Sequence, residues 1–134
     1  MRTLKLLAAT LAALTCTFTF AGDSETMQSG VVVSHLKPGQ GASPSAASTV
    51  RVHYRGTLAN GTEFDSSYKR REPISFPLRG VIPCWTQGLQ KMKVGGKARL
   101  TCPAATAYGD SGVPGVIPPK SVLTFDVELL AIEG

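Results

Sequence analysis

Apolar and polar positions change their period several times along the chain. Val50, Val52 and Tyr54 alternate with Arg51, His53 and Arg55, which predicts a half-buried strand starting near Thr49, with one apolar face and one basic, wet face. Leu123, Phe125, Val127 and Leu129 alternate in the same way with Asp126 and Glu128, predicting a last strand from Ser121 to about Ile132. Val31 to Leu36 is rich in β-branched residues and reads as an earlier strand. Residues 22–29 before it are short and polar and are expected to fray. Lys37-Pro38-Gly39 turns the chain into an exposed connection rich in Gly, Ser and Ala, residues 39–48. Asn60-Gly61 predicts a tight primed turn with both residues at positive φ, joining the Tyr54 strand to Glu63-Phe64-Asp65. Ile74 to Leu78 and Lys97 to Cys102 are extended again. Between them the period becomes helical once. Pro83 suits a first turn, Trp85, Leu89 and Met92 share a face, and Gly95-Gly96 ends the element. Residues 103–119 form a long loop carrying three glycines and four prolines, and a loop of that length in a small domain usually serves function. The pattern predicts an α+β fold in which an antiparallel sheet wraps one short helix.

The N-terminus follows another logic. Arg2 and Lys5 precede an apolar run from Leu6 to Phe20 that ends in Thr19-Phe20-Ala21, the layout of a signal peptide cleaved after Ala21. The run is shorter than the roughly 20 residues of a membrane-spanning helix. A retained amphipathic helix would need a polar stripe, and residues 1–22 contain no acidic side chain. A lipid anchor on Cys16 would need small residues before it, where Ala13-Leu14-Thr15 fits poorly. The expected organisation is therefore a leader over residues 1–21, a flexible stretch over 22–29 and one domain over 30–134. Its destination would be the periplasm or the exterior, without stable membrane association.

Composition agrees with one globular domain: 43% of the 134 residues are hydrophobic and 17% charged. The chain carries 14 Lys and Arg against 9 Asp and Glu, net +5. Loss of Arg2 and Lys5 with the leader reduces this by two, to +3. The basic residues are scattered apart from Lys69-Arg70-Arg71, so nucleic-acid binding is not expected. Cleavage would also remove Cys16, leaving Cys84 and Cys102 in an oxidising compartment as either a disulfide or two small buried thiols. His35 and His53 have no Cys or carboxylate at ligand spacing, which disfavours a metal site. There is no nucleophile elbow and no phosphate-cradling loop. What remains is an aromatic set, Tyr54, Phe64, Phe76, Trp85, Tyr108 and Phe125, spread over every expected element. Composition alone favours reading it as an ordinary core.

Five segments change that reading. They are Val52-His53-Tyr54-Arg55-Gly56-Thr57-Leu58, Gly61-Thr62-Glu63-Phe64-Asp65-Ser66-Ser67, Val81-Ile82-Pro83-Cys84-Trp85, Ala107-Tyr108-Gly109, and the run from Pro118 to Leu129. In order and spacing they resemble the FKBP-type peptidyl-prolyl isomerases, over nearly all of residues 30–133. The resemblance implies a five- or six-stranded antiparallel sheet curved around a short helix, with a peptidyl-proline bond as substrate. It implies Trp85 at a pocket floor, Tyr54, Phe64, Phe76, Val81, Ile82, Ile117 and Phe125 as walls, and Tyr108 and Asp65 at a polar rim. Arg70 would be the ionic partner of Asp65, although Asp65-Ser66-Ser67 is also a turn sequence that can bond its own backbone. The Tyr108 hydroxyl and the Ile82 N–H would meet substrate carbonyls, and Val113 at the loop tip would touch the residue before proline.

The implied partners are proline-containing unfolded or partly folded proteins and macrolide inhibitors, with no cofactor. The same pocket would equally serve a binding module or chaperone with little turnover. Some secreted relatives dimerise through a helical arm, and with only residues 22–29 ahead of the first strand a monomer is expected. Three positions depart from the common pattern: Ile74 stands where an aromatic is frequent, Cys84 where glycine is, and Ala104-Ala105-Thr106 where a Pro-Asp pair is.

Overall fold

The computed structural model describes residues 23–134; the leader expected over residues 1–21 lies outside them. Seven strands form one sheet: β1 (Ser24–Thr26), β2 (Val32–Lys37), β3 (Thr49–Leu58), β4 (Glu63–Ser66), β5 (Ile74–Pro77), β6 (Lys97–Cys102) and β7 (Leu123–Ile132). Every pairing is antiparallel. The order is β1-β2-β6-β7-β3-β4, with β5 also paired to β3. The sheet has one strand more than the expected five or six, because Ser24–Thr26 pairs with Val32–Ser34 where the sequence pattern suggested fraying. Backbone ladder bonds hold that segment, since all three of its residues are exposed.

The alternating residues face as their period requires. Val50, Val52 and Tyr54 on β3 and Leu123, Phe125, Val127 and Leu129 on β7 are buried, while Arg51 and Arg55 are exposed. β3 and β7 are the long central strands, paired from Val50 opposite Ile132 to Leu58 opposite Leu123, with one register shift between Arg51 and Val52. The main helix, α2 (Pro83–Leu89), starts on Pro83 at its first turn. It lies against β6 so closely that a Cβ on Gly88 would sit 2.9 Å from Leu100. α2 is shorter than the helical spacing suggested. It ends at Leu89, and Met92 is buried from the turn that follows.

Two local features differ from the pattern-based expectation. A one-turn helix, α1 (Ser67–Arg70), follows β4, capped by the Ser66 hydroxyl accepting from Lys69 N–H. In the β3–β4 hairpin only Gly61 has positive φ, +89°, and Asn60 does not. Gly61 N–H donates to Leu58 O and Leu58 N–H to Thr62 O, which makes a three-residue loop with glycine at the left-handed bulge position rather than a two-residue primed turn. Asn60 contributes through its side chain, whose Oδ1 accepts from Thr62 N–H at 2.9 Å.

Cys84 in α2 and Cys102 at the end of β6 are joined, with Cα atoms 5.6 Å apart and both side chains fully buried. The bond ties the helix that carries Trp85 to the strand from which the long loop departs.

Candidate active site: an aromatic hollow

Four elements send aromatic rings to one place. β3 supplies Tyr54, β4 Phe64, β5 Phe76 and β7 Phe125, all around Trp85 of α2. The indole is 96% buried, and three rings meet it nearly at right angles: Tyr54 at 5.2 Å and 83°, Phe76 at 5.3 Å and 82°, and Phe125 at 5.4 Å and 86°. Phe64 and Phe125 are also edge to face, 5.6 Å apart. Edge-to-face packing matches the positive edge of one ring to the negative face of another, so the rings brace one another and leave a cavity of about 480 Å³ above the indole. Gly56 makes room for this. It lies opposite Phe125 in the β3–β7 register, and a Cβ there would be 2.6 Å from Phe64 Cζ and 2.9 Å from Phe125.

The polar edge is a network around Asp65. Its Oδ2 accepts from the Tyr54 hydroxyl, and its Oδ1 accepts from Arg70 Nη1 at 2.8 Å and from Ser66 N–H at 2.9 Å. Arg70 Nη2 also donates to the Tyr54 oxygen at 3.2 Å. Asp65 therefore has its ion pair and its own-backbone bond at once. Burial disfavours its charge, but the Tyr54 hydroxyl, Arg70 and Ser66 N–H together outweigh burial and hold the carboxyl below its ordinary value. Burial, reinforced by Asp65, pushes the Tyr54 phenol up to about 12. The network thus consists of a carboxylate, a neutral phenol and a guanidinium at neutral pH, none poised to exchange a proton.

The cavity wall contains Tyr54, Phe64, Asp65, Phe76, Val81, Ile82, Trp85, Tyr108 and Phe125. Tyr108 sits at the mouth, 41% exposed. Ile82 N–H donates to no backbone carbonyl among the described residues. The structure leaves three of the sequence-derived candidates off this wall. Arg70 stands behind Asp65, in a shallow groove with Glu63, Ser66 and Lys69. Ile117 is a core residue that lines another groove with Leu58, Pro114 and Pro118. Val113 exchanges both backbone bonds with Ile117 and packs on the core. Conversely, Gly80 and Ala107 line the cavity and were not singled out as site residues. Their contribution is small size, no side chain at Gly80 and one methyl at Ala107, which leaves little hydrophobic signal.

An antiparallel sheet wrapped on one main helix, with a preformed apolar hollow between them and a few convergent polar groups at its edge, is a binding or active-site architecture for a small apolar group. Residues 40–130 match the family of FKBP-type peptidyl-prolyl cis-trans isomerases, and the chain belongs to that family. Among curated relatives, the FKBP-type isomerase FkpA of Escherichia coli K12 is 52% identical over 109 residues, 81% of this chain and 40% of that protein. The crystal structure of Escherichia coli FkpA matches with a TM-score of 0.79 and 51% identity, covering 82% of this chain and 51% of the FkpA chain. FK506-binding protein 1 of Saccharomyces cerevisiae is 46% identical over 112 residues, 81% of this chain and 98% of that protein.

Proposed function

We propose that this protein accelerates cis/trans isomerisation of Xaa-Pro bonds in exported proteins, by non-covalent stabilisation of the twisted prolyl amide in the aromatic hollow. The observation that carries the reading is the braced set of rings around the buried indole, which offers a dry, flat-walled space for one prolyl ring. The barrier to rotation is the loss of amide resonance, about 18–20 kcal/mol, and no covalent bond breaks. A twisted amide separates less charge than a planar one, so an apolar cavity that strips water from the ground-state amide lowers the barrier. A reduction of about 4 kcal/mol accelerates the step roughly a thousandfold. The absence of a proton-exchanging group at the Asp65 network supports this route over acid–base chemistry.

In this reading Trp85 and Phe64 cradle the proline ring, and Tyr54, Phe76, Val81 and Phe125 exclude water. Tyr108 donates its hydroxyl, and Ile82 its N–H, to carbonyls of the substrate backbone. Asp65 and Arg70 hold the Tyr54 ring in place from behind. Macrolides of the FK506 class occupy the same hollow. Export is supported by the leader-like residues 1–21 and by the buried Cys84–Cys102 bond, a linkage that persists in oxidising compartments.

A protease-coupled assay on Xaa-Pro peptides tests the proposal. The expected result is acceleration at micromolar enzyme that FK506 or rapamycin abolishes. A rate equal to the uncatalysed one, with macrolide still bound, would leave a binding module and remove the enzyme.

A further inference from the structure

A second concavity lies away from the aromatic hollow and shares no wall residue with it. Its lining includes Asp23, His35, Lys37, Lys91, Lys93 and Lys97, around a space of about 210 Å³. Two turns build it. Lys37-Pro38-Gly39 leaves β2, and residues 90–96 connect α2 to β6. The turns are pressed together backbone to backbone: a Cβ on Gly39 would lie 2.4 Å from Lys93 O and 2.7 Å from Val94 O. Gln40 and Gly41 N–H both donate to Val94 O, and Val94 N–H donates to Ala42 O. The two turns that carry Lys37 and Lys93 are therefore held together by main chain.

Positive charge predominates in this arrangement. Lys37 and Lys97 are cross-strand partners beside a register shift, and like charges placed opposite one another destabilise a sheet, while Glu128 on β7 stands opposite Lys97 on its other side. Lys37, Lys93 and Lys97 make no ion pair within 4.0 Å among the described residues. Lys91 only reaches Glu25 at 4.0 Å, and Glu25 also lies 3.6 Å from His35. Among the described residues, Asp23 is the one carboxylate on the wall. Four lysines thus line a small depression built on two backbone-bonded turns, and a compact anion placed there would relieve the repulsion among them.

We propose that this concavity is a binding site for phosphate groups. Lysines act on phosphate as point charges and need no planar pairing geometry. The small, walled shape suits a discrete phosphate or diphosphate better than an extended acidic peptide, which would be served by a stripe of charge.

The test is a titration of the full mature protein with inorganic pyrophosphate at constant ionic strength set by sodium chloride, followed by amide chemical shifts. The expected result is saturable change confined to residues 37–41 and 91–97, with the amides of the aromatic hollow unmoved. Each of Lys37→Gln, Lys93→Gln and Lys97→Gln should weaken binding about fivefold, the Coulomb contribution of one ammonium at contact distance in water, while isomerase activity stays unchanged. A parallel arm uses vesicles of phosphatidylcholine mixed with phosphatidylglycerol. Lysine-dependent vesicle binding that pyrophosphate competes identifies a lipid headgroup as the source, and saturation by pyrophosphate alone identifies a soluble one. Shifts no larger than sodium chloride produces, affinity unaltered in the lysine variants, or binding to polyglutamate with neither phosphate probe saturating would overturn the proposal.

Discussion

Reduction of the Cys84–Cys102 bond probes how the site is held, and its effect can be worked out in advance. The bond closes a segment whose ends are 18 residues apart in sequence. In the chain-entropy treatment, a cross-link over that length removes about 11 cal/mol/K from the unfolded ensemble, or about 3 kcal/mol at 25 °C. The native state loses little on reduction. Both cysteines are buried with no exposed surface, and on reduction the two sulfurs part from bonding to van der Waals distance, a local repacking that opens no cavity. The helix also remains pressed on β6 through Gly88 and Leu100. The stability change therefore falls on the unfolded state. With a urea slope of about 1.5 kcal/mol/M for a domain of this size, the midpoint should drop by about 2 M between air-oxidised protein and protein kept reduced, at an unchanged fold by far-ultraviolet dichroism. Because native geometry persists, the isomerase rate below the transition should change less than twofold. A midpoint shift under about 0.5 M, with thiol titration showing that the bond was intact beforehand, would refute the entropic account. A tenfold loss of rate in the reduced, folded protein would show that the bond shapes the hollow itself.

Further tests address the site and its electrostatics. Gly56→Ala forces a methyl into the gap between Phe64 and Phe125, so it should cost about 1–3 kcal/mol of stability and lower kcat/KM by at least about tenfold, read by urea denaturation and the peptide assay. Phe64→Ala and Tyr108→Phe should both reduce kcat/KM with the fold intact, and full activity in both would dissociate these residues from turnover. Asp65 is held below its ordinary value, so its contribution to stability is present above about pH 4, the usual carboxylate range, and is lost as pH falls through the lower folded value; Asp65→Asn should flatten that acid limb in thermal melts at stepped pH. Tyr54 and Tyr68 are both raised to about 12 by burial with help from Asp65 and Glu128 respectively. The folded state thus keeps these protons longer than the unfolded chain, and stability should decline from about pH 10 to 12, checked by phenolate absorbance against unfolding.

Local pattern carried most of the elements, because side-chain alternation on β3 and β7 and the Pro83 helix start are properties of a few consecutive residues. Even the aromatic set was visible as a set, and the five spaced motifs tied it to one family. The convergence of those rings was not visible as geometry. It depends on β7 lying between β6 and β3, a neighbour order with long sequence gaps, and on Gly56 facing Phe125 across that pairing.

Where the chain departed from its pattern, longer-range contacts overrode local preference. Residues 24–26 have no apolar period, yet they form a strand because the free edge of β2 offers ladder bonds. Asn60 tolerates positive φ, yet the β3–β4 register is met by a loop one residue longer with only Gly61 left-handed. Ile117 is apolar and close to the motif, yet its backbone exchange with Val113 turns it to the core side of the loop. The lysine-lined concavity illustrates the same division: four lysines spread over residues 37–97 mean little in a linear chain, and become one electrostatic feature only when two turns are pressed together. Periodicity reports which face of an element is dry, whereas a site is a matter of which dry or charged faces meet, and that is set by pairings between residues far apart in sequence.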